Sequence, residues 1–243
     1  MTPMTPVTRR AVVTGAGSGI GAATAALLRD RGWEVLGVDL RAGEGTVAAD
    51  VTDEASLTAA AAGLGAGTLD ALVCAAGVWL PGDDRYASVD MDVWNRTFAV
   101  NVTGTMLSLR AFAPALRSGG AVVTIGSVAA ISGIPKRDAY TASKGAIVAL
   151  TRAWAADLIR LGIRVNCVAP GQVATAMTAH VTGLDHSRLP LGREAEPGEV
   201  AGVIAALCDP ELGYLNGAII PVDGGLTAAS ALVPLTPRKA VTA

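Results

Sequence analysis

The sequence predicts an α/β fold in which one doubly wound parallel sheet carries helices on both faces. Candidate strands alternate with candidate helices along the chain, which is typical of this class. The strands are short and almost continuously apolar, as strands covered on both faces are. The 243 residues are 51% hydrophobic and 16% charged, enough for one substantial core. We therefore expect a single domain over 1–243, with loosely ordered ends at about 1–8 and 229–243.

The first elements are a strand, a turn and a helix. The apolar run AVVT predicts a strand over 11–14, and a glycine-rich turn follows at 15–21. Alanines and leucines then predict a helix over 22–31, which Gly32 ends. The sequence EVLGVD predicts the second strand over 34–39.

The next part of the chain predicts two helical segments around a third strand. A helix is expected over 53–62, with Asp53 as the better candidate for its N-cap. The run DALVCA predicts a strand over 70–75. The segment 89–117 has the period of one long helix, with Asp90 as a plausible N-cap.

The remaining elements continue the alternation. Apolar runs predict strands over 121–127, 163–170 and 218–223. Helices are expected over 138–160, a long segment of small and apolar residues, and over 197–208.

Composition narrows the possible partners. A net charge of −2 and a pI near 5.7 give no reason to expect nucleic acid or an anionic membrane as a partner. No run of about 18 apolar residues suggests a transmembrane helix, and a cytoplasmic protein is expected. Cys74, Cys167 and Cys208 are widely spaced and predict reduced core thiols rather than a disulfide or metal site.

The turn TGAGSGIG at 14–21 is the first chemical signal. Gly15 allows a tight turn, Gly19 lets the backbone approach a phosphate, and Gly21 lets helix and strand pack closely. The helix start offers free N–H groups to a pyrophosphate. Asp39, at the end of the second strand, could accept hydrogen bonds from ribose hydroxyls. Together they predict a Rossmann-type dinucleotide site.

The choice between NAD and NADP depends on two neighbouring residues. A carboxylate at Asp39 would repel a 2′-phosphate, which favours NAD. Arg41 could stack on adenine or meet that phosphate instead. The prediction is NAD in preference to NADP.

Further motifs stand in a recognisable order. They are TGAGSGIG (14–21), Asn101, Ser127, YTASK (140–144), PG (170–171) and VDGG (222–225). From about residue 10 to 227 this arrangement resembles the short-chain dehydrogenase/reductase family, in its single-domain branch of about 250 residues. One departure is CAAG at 74–77, where the family usually has NNAG; we expect it to affect local rigidity more than cofactor binding.

Tyr140 and Lys144 stand one helical turn apart. Oxidation of an alcohol needs a base, and a free phenol with a pKa near 10 is a poor one at neutral pH. An ammonium one turn away stabilises the phenolate, so Tyr140 is the predicted acid/base and Lys144 the group that lowers its pKa. Ser127 would hydrogen-bond the substrate oxygen. The resemblance implies that Lys144 also binds the nicotinamide ribose and that Asn101 helps to organise a water-linked proton relay.

The full predicted sites follow from these motifs and the resemblance. The cofactor-binding set is Gly15, Ser18, Gly19, Ile20, Gly21, Asp39, Asp50, Val51, Ala76, Gly77, Tyr140, Lys144, Pro170, Gly171, Val173 and Thr175. The substrate-binding set is Trp79, Ser127, Ala129, Ile134, Tyr140 and Met177. This second set is mostly apolar and predicts a hydrophobic secondary alcohol or ketone, cyclic ones included. Lys136 and Arg137 flank this region and could meet an acidic group, but they are interpreted as solvated loop charges. His180 and His186 are interpreted as non-catalytic.

The predicted activity is NAD-dependent interconversion of a secondary alcohol and a ketone. One alternative is an NADP-dependent 3-oxoacyl-(acyl-carrier-protein) reductase, against which Asp39 argues. Another is a dinucleotide-binding regulator without turnover, which would have no use for the set of Asn101, Ser127, Tyr140 and Lys144. The resemblance also implies a homotetramer.

Overall fold

A computed structural model describes residues 8–179, 186 and 189–228. Apart from Thr8, the predicted loose ends lie outside the described residues, as does His180. The strands are β1 (Arg10–Thr14), β2 (Glu34–Asp39), β3 (Thr46–Ala48), β4 (Leu69–Cys74), β5 (Leu116–Ile125), β6 (Arg164–Pro170) and β7 (Ile219–Val222). The helices are α1 (Gly19–Asp30), α2 (Glu54–Ala61), α3 (Met91–Phe98), α4 (Gly104–Phe112), α5 (Asp138–Leu158) and α6 (Pro197–Cys208).

The seven strands form one parallel sheet in the order β3-β2-β1-β4-β5-β6-β7. The chain builds outward from β1 to β3, returns to β4 on the other side of β1, and then builds outward to β7. Thr14, the last residue of β1, pairs with Val38 on one side and Cys74 on the other. This reversal is the switch point at which open α/β sheets form ligand crevices. The predicted fold class is confirmed.

Each face of the sheet has its own core. One core contains Val12 of β1 and Phe112 of α4, both fully buried. The opposite core contains Val13 of β1, Leu28 of α1 and Ile204 of α6. Side chains of this size contribute about 1.5–3 kcal/mol each when fully buried. Alternate residues of the same strand therefore anchor helices on opposite faces, and the carboxyl ends of the strands stay free to form a cleft.

Two predictions of local structure were wrong. The short edge strand β3 was not predicted. The segment 89–117 is not one helix, because a π-helical turn (Ala99–Thr103) separates α3 from α4 and a 3-10 turn (Ala113–Ala115) precedes β5. Pro114 lies in that last turn, where its ring is incompatible with continued α-helix. Within the described part of the chain, no helix has the length and apolarity needed to cross a membrane.

Candidate active site

A cleft of about 320 Å³ opens at the carboxyl ends of the strands, beside the switch point between β1 and β4. The structure brings all sixteen residues of the predicted cofactor-binding set to the lining of this cleft. The lining also includes residues that the sequence did not single out: Val38, Leu40, Ala49, Ala75, Arg96, Val100, Ile125, Gly126, Ala176 and Thr178. Most of these are apolar side chains whose place in the cleft comes from tertiary packing.

The glycine-rich turn leaves the start of α1 open to the cleft. Ser18, the N-cap residue, makes no side-chain hydrogen bond to the helix. The first N–H groups of α1 therefore have no capping side chain, which is the arrangement that binds a phosphate. Gly15 has a φ of 71°, and a Cβ there would lie 2.8 Å from the Ala76 backbone. A Cβ on Gly21 would overlap the carbonyl oxygen of Gly15.

Asp39 is held at the edge of the same turn by two backbone N–H groups. Its Oδ2 accepts a hydrogen bond from the Gly17 N–H at 2.9 Å, and its Oδ1 accepts one from the Leu40 N–H at 2.8 Å. Each carboxylate oxygen keeps capacity for a further donor, as two ribose hydroxyls would require. Arg41 is exposed and forms no hydrogen bond or ion pair with the residues that the structure describes.

Asp50 and Asp53 have separate roles. Asp53 caps α2, since its carboxylate accepts a hydrogen bond from the Ala55 N–H. Asp50 lines the cleft, and its Oδ1 accepts from both the N–H and the hydroxyl of Thr52. These hydrogen bonds, helped by the nearby Arg96 guanidinium, lower the pKa of Asp50. The second oxygen is thus a negatively charged acceptor facing the cleft.

The loop after β6 forms the far wall of the cleft. Val173 pairs with Ala195 through backbone hydrogen bonds of Ala174 and Gln172. Thr178 strengthens the bend, because its hydroxyl donates to the Val173 carbonyl at 2.8 Å. Thr175 and Met177 lie on this braced segment and line the cleft.

Tyr140 and Lys144 occupy the first turns of α5 and face the cleft. The Lys144 Nζ lies 5.7 Å from the centre of the Tyr140 ring and donates to the Ile125 carbonyl at 2.9 Å. Burial lowers the pKa of Lys144 to about 8. Burial also raises the pKa of Tyr140, while the Ser127 hydroxyl and the Arg137 guanidinium act in the opposite direction. A phenolate therefore needs these neighbours to form near neutral pH.

Asn101 sits on the π-helical turn and fastens two segments together. Its Oδ1 accepts from the Val78 N–H at 2.8 Å, and its Nδ2 donates to the Val78 carbonyl at 2.9 Å. The same Nδ2 donates to the Ser143 hydroxyl of α5 at 3.0 Å. Because Asn101 is only 1% exposed, these bonds are shielded from water. The side chain thus ties the loop after β4 to the helix that carries Tyr140 and Lys144.

The CAAG segment is braced without the usual asparagines. The Ala76 N–H donates to the Thr14 hydroxyl at 3.2 Å, which joins the loop to the end of β1. Cys74 is buried, and burial raises the pKa of its thiol to about 12. Cys167 and Cys208 are also buried free thiols. Among the described residues, no group of His, Cys, Asp and Glu has an arrangement that could hold a metal ion.

The predicted substrate-binding residues lie at different depths. Ser127 begins a 3-10 turn, where its Oγ accepts from the Ala129 N–H at 3.1 Å. Ala129 is 2% exposed. Trp79 lies beside Tyr140, with ring centres 6.5 Å apart, and Ile134 is partly exposed. Met177 is the member of this set, with Tyr140, that lines the cleft itself.

Sequence reasoning missed Asp83. One carboxylate oxygen accepts from the Ala139 N–H and the other from the Tyr140 N–H, each at 2.9 Å. The carboxylate therefore caps the start of α5 at the residue that carries the phenol. No spacing rule connects a loop acid to a helix 56 residues later, so only the folded chain reveals this contact.

Arg137 was interpreted as a solvated loop charge, and that interpretation was wrong. Its guanidinium lies over the Trp79 ring, with 4.0 Å between Cζ and the ring centre. The side chain is partly buried, and burial lowers its pKa. Lys136 is exposed as expected. His186 is exposed, 4.0 Å from the Glu194 carboxylate and not part of the cleft lining.

The described residues fit a nicotinamide dinucleotide. The uncapped helix start suits a pyrophosphate, and the carboxylates of Asp39 and Asp50 suit ribose hydroxyls and an adenine amine. Lys144 has donors left for ribose hydroxyls, since among the described residues its ammonium makes one hydrogen bond, to the Ile125 carbonyl. The cleft thus joins a dinucleotide-type wall to a tyrosine and a lysine at its inner end.

Comparisons with known proteins agree with this geometry. A family model described as enoyl-(acyl carrier protein) reductase matches residues 15–227. The trans-4-hydroxycyclohexanecarboxylate dehydrogenase of Sinomonas cyclohexanicum is 38% identical, over 91% of this chain and 94% of that relative. The 2-(S)-hydroxypropyl-CoM dehydrogenase 3 of Xanthobacter autotrophicus is 39% identical, over 89% and 95%. The crystal structure of levodione reductase matches with a TM-score of 0.82 and 30% identity, over 91% of this chain and 98% of that one.

Proposed function

The chain belongs to the short-chain dehydrogenase/reductase family, and on that premise we propose that it interconverts an apolar secondary alcohol and its ketone with NAD as the hydride carrier. As a member of the family it is a nicotinamide-dependent oxidoreductase acting on CH–OH groups. The proposal adds the choice of NAD, the role of Tyr140 as acid/base, and an apolar substrate, cyclic ones included. The name of the trans-4-hydroxycyclohexanecarboxylate dehydrogenase relative supports a cyclic substrate.

The observation that carries the proposal is the position of Tyr140 and Lys144 at the inner end of the cleft that holds Asp39 at its edge. Bound NAD would supply the hydride acceptor. Tyr140 takes the hydroxyl proton during oxidation and returns it during reduction. Lys144 is buried, and its positive charge beside the ring stabilises the phenolate. Ser127, whose hydroxyl favours the same ionised form, holds the substrate oxygen near the phenol.

The experiment is a Tyr140→Phe substitution assayed with cyclic and acyclic secondary alcohols. Loss of the phenol should lower kcat by about 10²–10⁴, the usual contribution of a general acid/base. Tyr86→Phe is the matched control, because Tyr86 is 89% exposed and away from the cleft lining. Alcohol oxidation by Tyr140→Phe at the rate of Tyr86→Phe would disprove the assigned role.

The choice of NAD over NADP rests on Asp39. We expect the wild type to have the higher kcat/KM with NAD, because a 2′-phosphate would meet a carboxylate fixed by two N–H groups. Asp39→Ser should raise the relative activity with NADP. Glu44→Gln is the control, since Glu44 is an exposed acid of the same region and does not line the cleft. Higher wild-type kcat/KM with NADP would reject the NAD proposal.

The second candidate is reduction of 3-oxoacyl thioesters with NADP. The matching family model is described as enoyl-(acyl carrier protein) reductase, which supports an acyl thioester as the substrate but indicates neither the 3-oxo group nor NADP. This candidate differs from the first in both substrate and cofactor. An assay with a 3-oxoacyl thioester and each cofactor separates the two, since only this candidate predicts faster turnover of the thioester. The homotetramer and the cytoplasmic location stay predictions; light scattering at micromolar concentration tests the first.

A further inference from the structure

The Arg137 side chain lies beside the reacting phenol. It directly precedes α5 and stands three residues before Tyr140. Its guanidinium covers the Trp79 ring, and the same ring lies 6.5 Å from the Tyr140 ring. Trp79 therefore has the acid/base on one side and a fixed cation on another. A molecule held against Tyr140 would extend along this tryptophan towards the guanidinium.

The Arg137 guanidinium lies over Trp79 and favours the ionised form of Tyr140, but within the described residues no hydrogen-bond acceptor engages its N–H groups. Within those residues Arg137 donates no hydrogen bond and has no carboxylate within 4.0 Å. The acidic group that faces it is Asp83, and both oxygens of Asp83 are already held by the backbone of α5. Tyr140 is the other titratable group that faces the guanidinium. Partial burial of a cation whose N–H groups have no acceptor is costly, which favours a ligand that supplies one.

Stacking on an aromatic ring also gives the guanidinium a defined plane. An arginine held in this way presents its N–H groups as a fork, which matches the two oxygens of a carboxylate. The Trp79 ring contacts the guanidinium and lies 6.5 Å from the Tyr140 ring, so it offers an apolar aromatic surface next to both groups. This arrangement has one polar end for a hydroxyl and one cationic end for an acid.

We propose that Arg137 binds an anionic group of the substrate, so that the substrate class is an apolar secondary alcohol that carries a carboxylate at the end remote from its hydroxyl. The inference rests on the proposed function, because it requires the hydroxyl to react at Tyr140. It replaces the interpretation of Arg137 as a solvated loop charge and adds an anionic group to the predicted apolar substrate. Arg137 binds and positions the substrate, and Tyr140 carries out the proton transfer.

The test compares a hydroxy acid with its neutral amide. The probes are trans-4-hydroxycyclohexanecarboxylate and trans-4-hydroxycyclohexanecarboxamide, each oxidised with NAD. A charge-assisted hydrogen bond contributes about 1.5–3 kcal/mol, so Arg137→Met should lower the acid-to-amide ratio of kcat/KM about 10–150-fold. Most of the change should be in KM for the acid. The acid-to-amide ratio of Arg137→Lys should lie between those of the wild type and Arg137→Met, because lysine keeps the charge and lacks the two-pronged guanidinium.

Lys136→Met is the matched control. It removes the same charge one residue away, from an exposed side chain that lies off the Trp79 ring. Its acid-to-amide ratio should stay within about threefold of the wild type, since an exposed charge acts weakly. The neutral amide also corrects for the effect of Arg137 on the pKa of Tyr140, since that effect applies to both substrates.

Failure of the inference can be told apart from failure of the proposed function. If the wild type oxidises the amide as well as the acid, or if the ratio in Arg137→Met equals that in Lys136→Met, Arg137 does not bind the anion and the activity still stands. If neither these probes nor a panel of neutral alcohols is oxidised, the proposed function itself fails. A further measurement needs no variant: inhibition of the wild type by cyclohexanecarboxylate is compared with inhibition by cyclohexanecarboxamide. We expect the carboxylate to inhibit more strongly, and equal inhibition would overturn the inference.

Discussion

Replacement of Asp83 by alanine should loosen the start of the catalytic helix. The carboxylate accepts the N–H groups of Ala139 and Tyr140, and α5 has no side-chain cap of its own at Arg137. Loss of an N-cap costs about 0.5–2 kcal/mol, and loss of a negative charge at a helix start about 0.3–1 kcal/mol. Since Asp83 is partly exposed, we expect a combined loss near 2 kcal/mol in the free energy of unfolding.

Urea and thermal denaturation measure the loss of stability, and enzyme kinetics measure the loss of activity. For a chain of this size, about 2 kcal/mol corresponds to a fall of about 4–8 °C in Tm. The N–H that loses its acceptor belongs to Tyr140, so the phenol should lose its fixed position and kcat should fall about tenfold. The KM for NAD should change little, because Asp83 lies outside the cleft lining. Asp83→Asn keeps one acceptor oxygen and should lose about half as much stability.

The neighbouring acid provides the control. The Asp84 side chain accepts from the Ser88 hydroxyl at 2.8 Å and not from α5. Its link to the helix is a backbone one, the Asp138 N–H donating to the Asp84 carbonyl, which Asp84→Ala retains. We expect Asp84→Ala to cost less than about 1 kcal/mol and to leave kcat close to that of the wild type. Equal losses of stability and of kcat in the two alanine variants would refute the capping argument.

Three further outcomes follow from the site. Gly21→Ala should abolish cofactor binding, measured by nucleotide fluorescence titration, because the added Cβ overlaps the Gly15 carbonyl; near wild-type affinity would contradict this. Asn101→Ala should cost about 1–3 kcal/mol in urea denaturation by leaving the partly buried Val78 N–H without an acceptor, and a loss below about 0.5 kcal/mol would argue against this role of Asn101. Burial lowers the pKa of Lys144 from 10.5 to about 8. Between pH 8 and 10.5 the unfolded chain therefore binds more protons than the folded one, so stability rises with pH there, and below pH 8 the cost of burying the charged lysine is fully present. Relative to Lys144→Met, the wild type should gain on the order of 3 kcal/mol between pH 8 and 10.5, and a flat difference would count against burial as the cause.

Local sequence patterns were sufficient to predict the helices and strands that are long and buried. The continuous apolar runs of β1 and β6 indicate buried strands, and the spacing of small and apolar residues in α5 indicates a helix. The strand β3 has three residues, pairs with β2 alone and is mostly exposed, so its sequence has no apolar run to indicate it. The π-helical turn in 89–117 has five residues between α3 and α4, too few to change the period of the whole segment, so a periodicity argument does not detect it.

The same distinction holds in the site. Residues placed by a local motif, such as Gly15 and Gly21 in one turn or Tyr140 and Lys144 in one helix, could be named from spacing. Asp83 could not, because its partners belong to a helix that only the folded chain brings near. Arg137 was misread for the related reason that a charge in a loop looks solvated until the tryptophan beneath it is known.

The loop after β4 is fastened at two points, Val78 by the Asn101 side chain and Asp83 by the start of α5. Between these points lie four residues, 79–82, which include the tryptophan next to the phenol. They form a short span that is anchored to the catalytic helix directly at Asp83 and, at Val78, through Asn101 and its bond to Ser143. Its composition can change the wall that meets the substrate while the anchors keep the proton-transfer groups in place. Exchange of 79–82 would therefore alter the tryptophan side of the substrate wall while the proton-transfer groups and Arg137 stay in place.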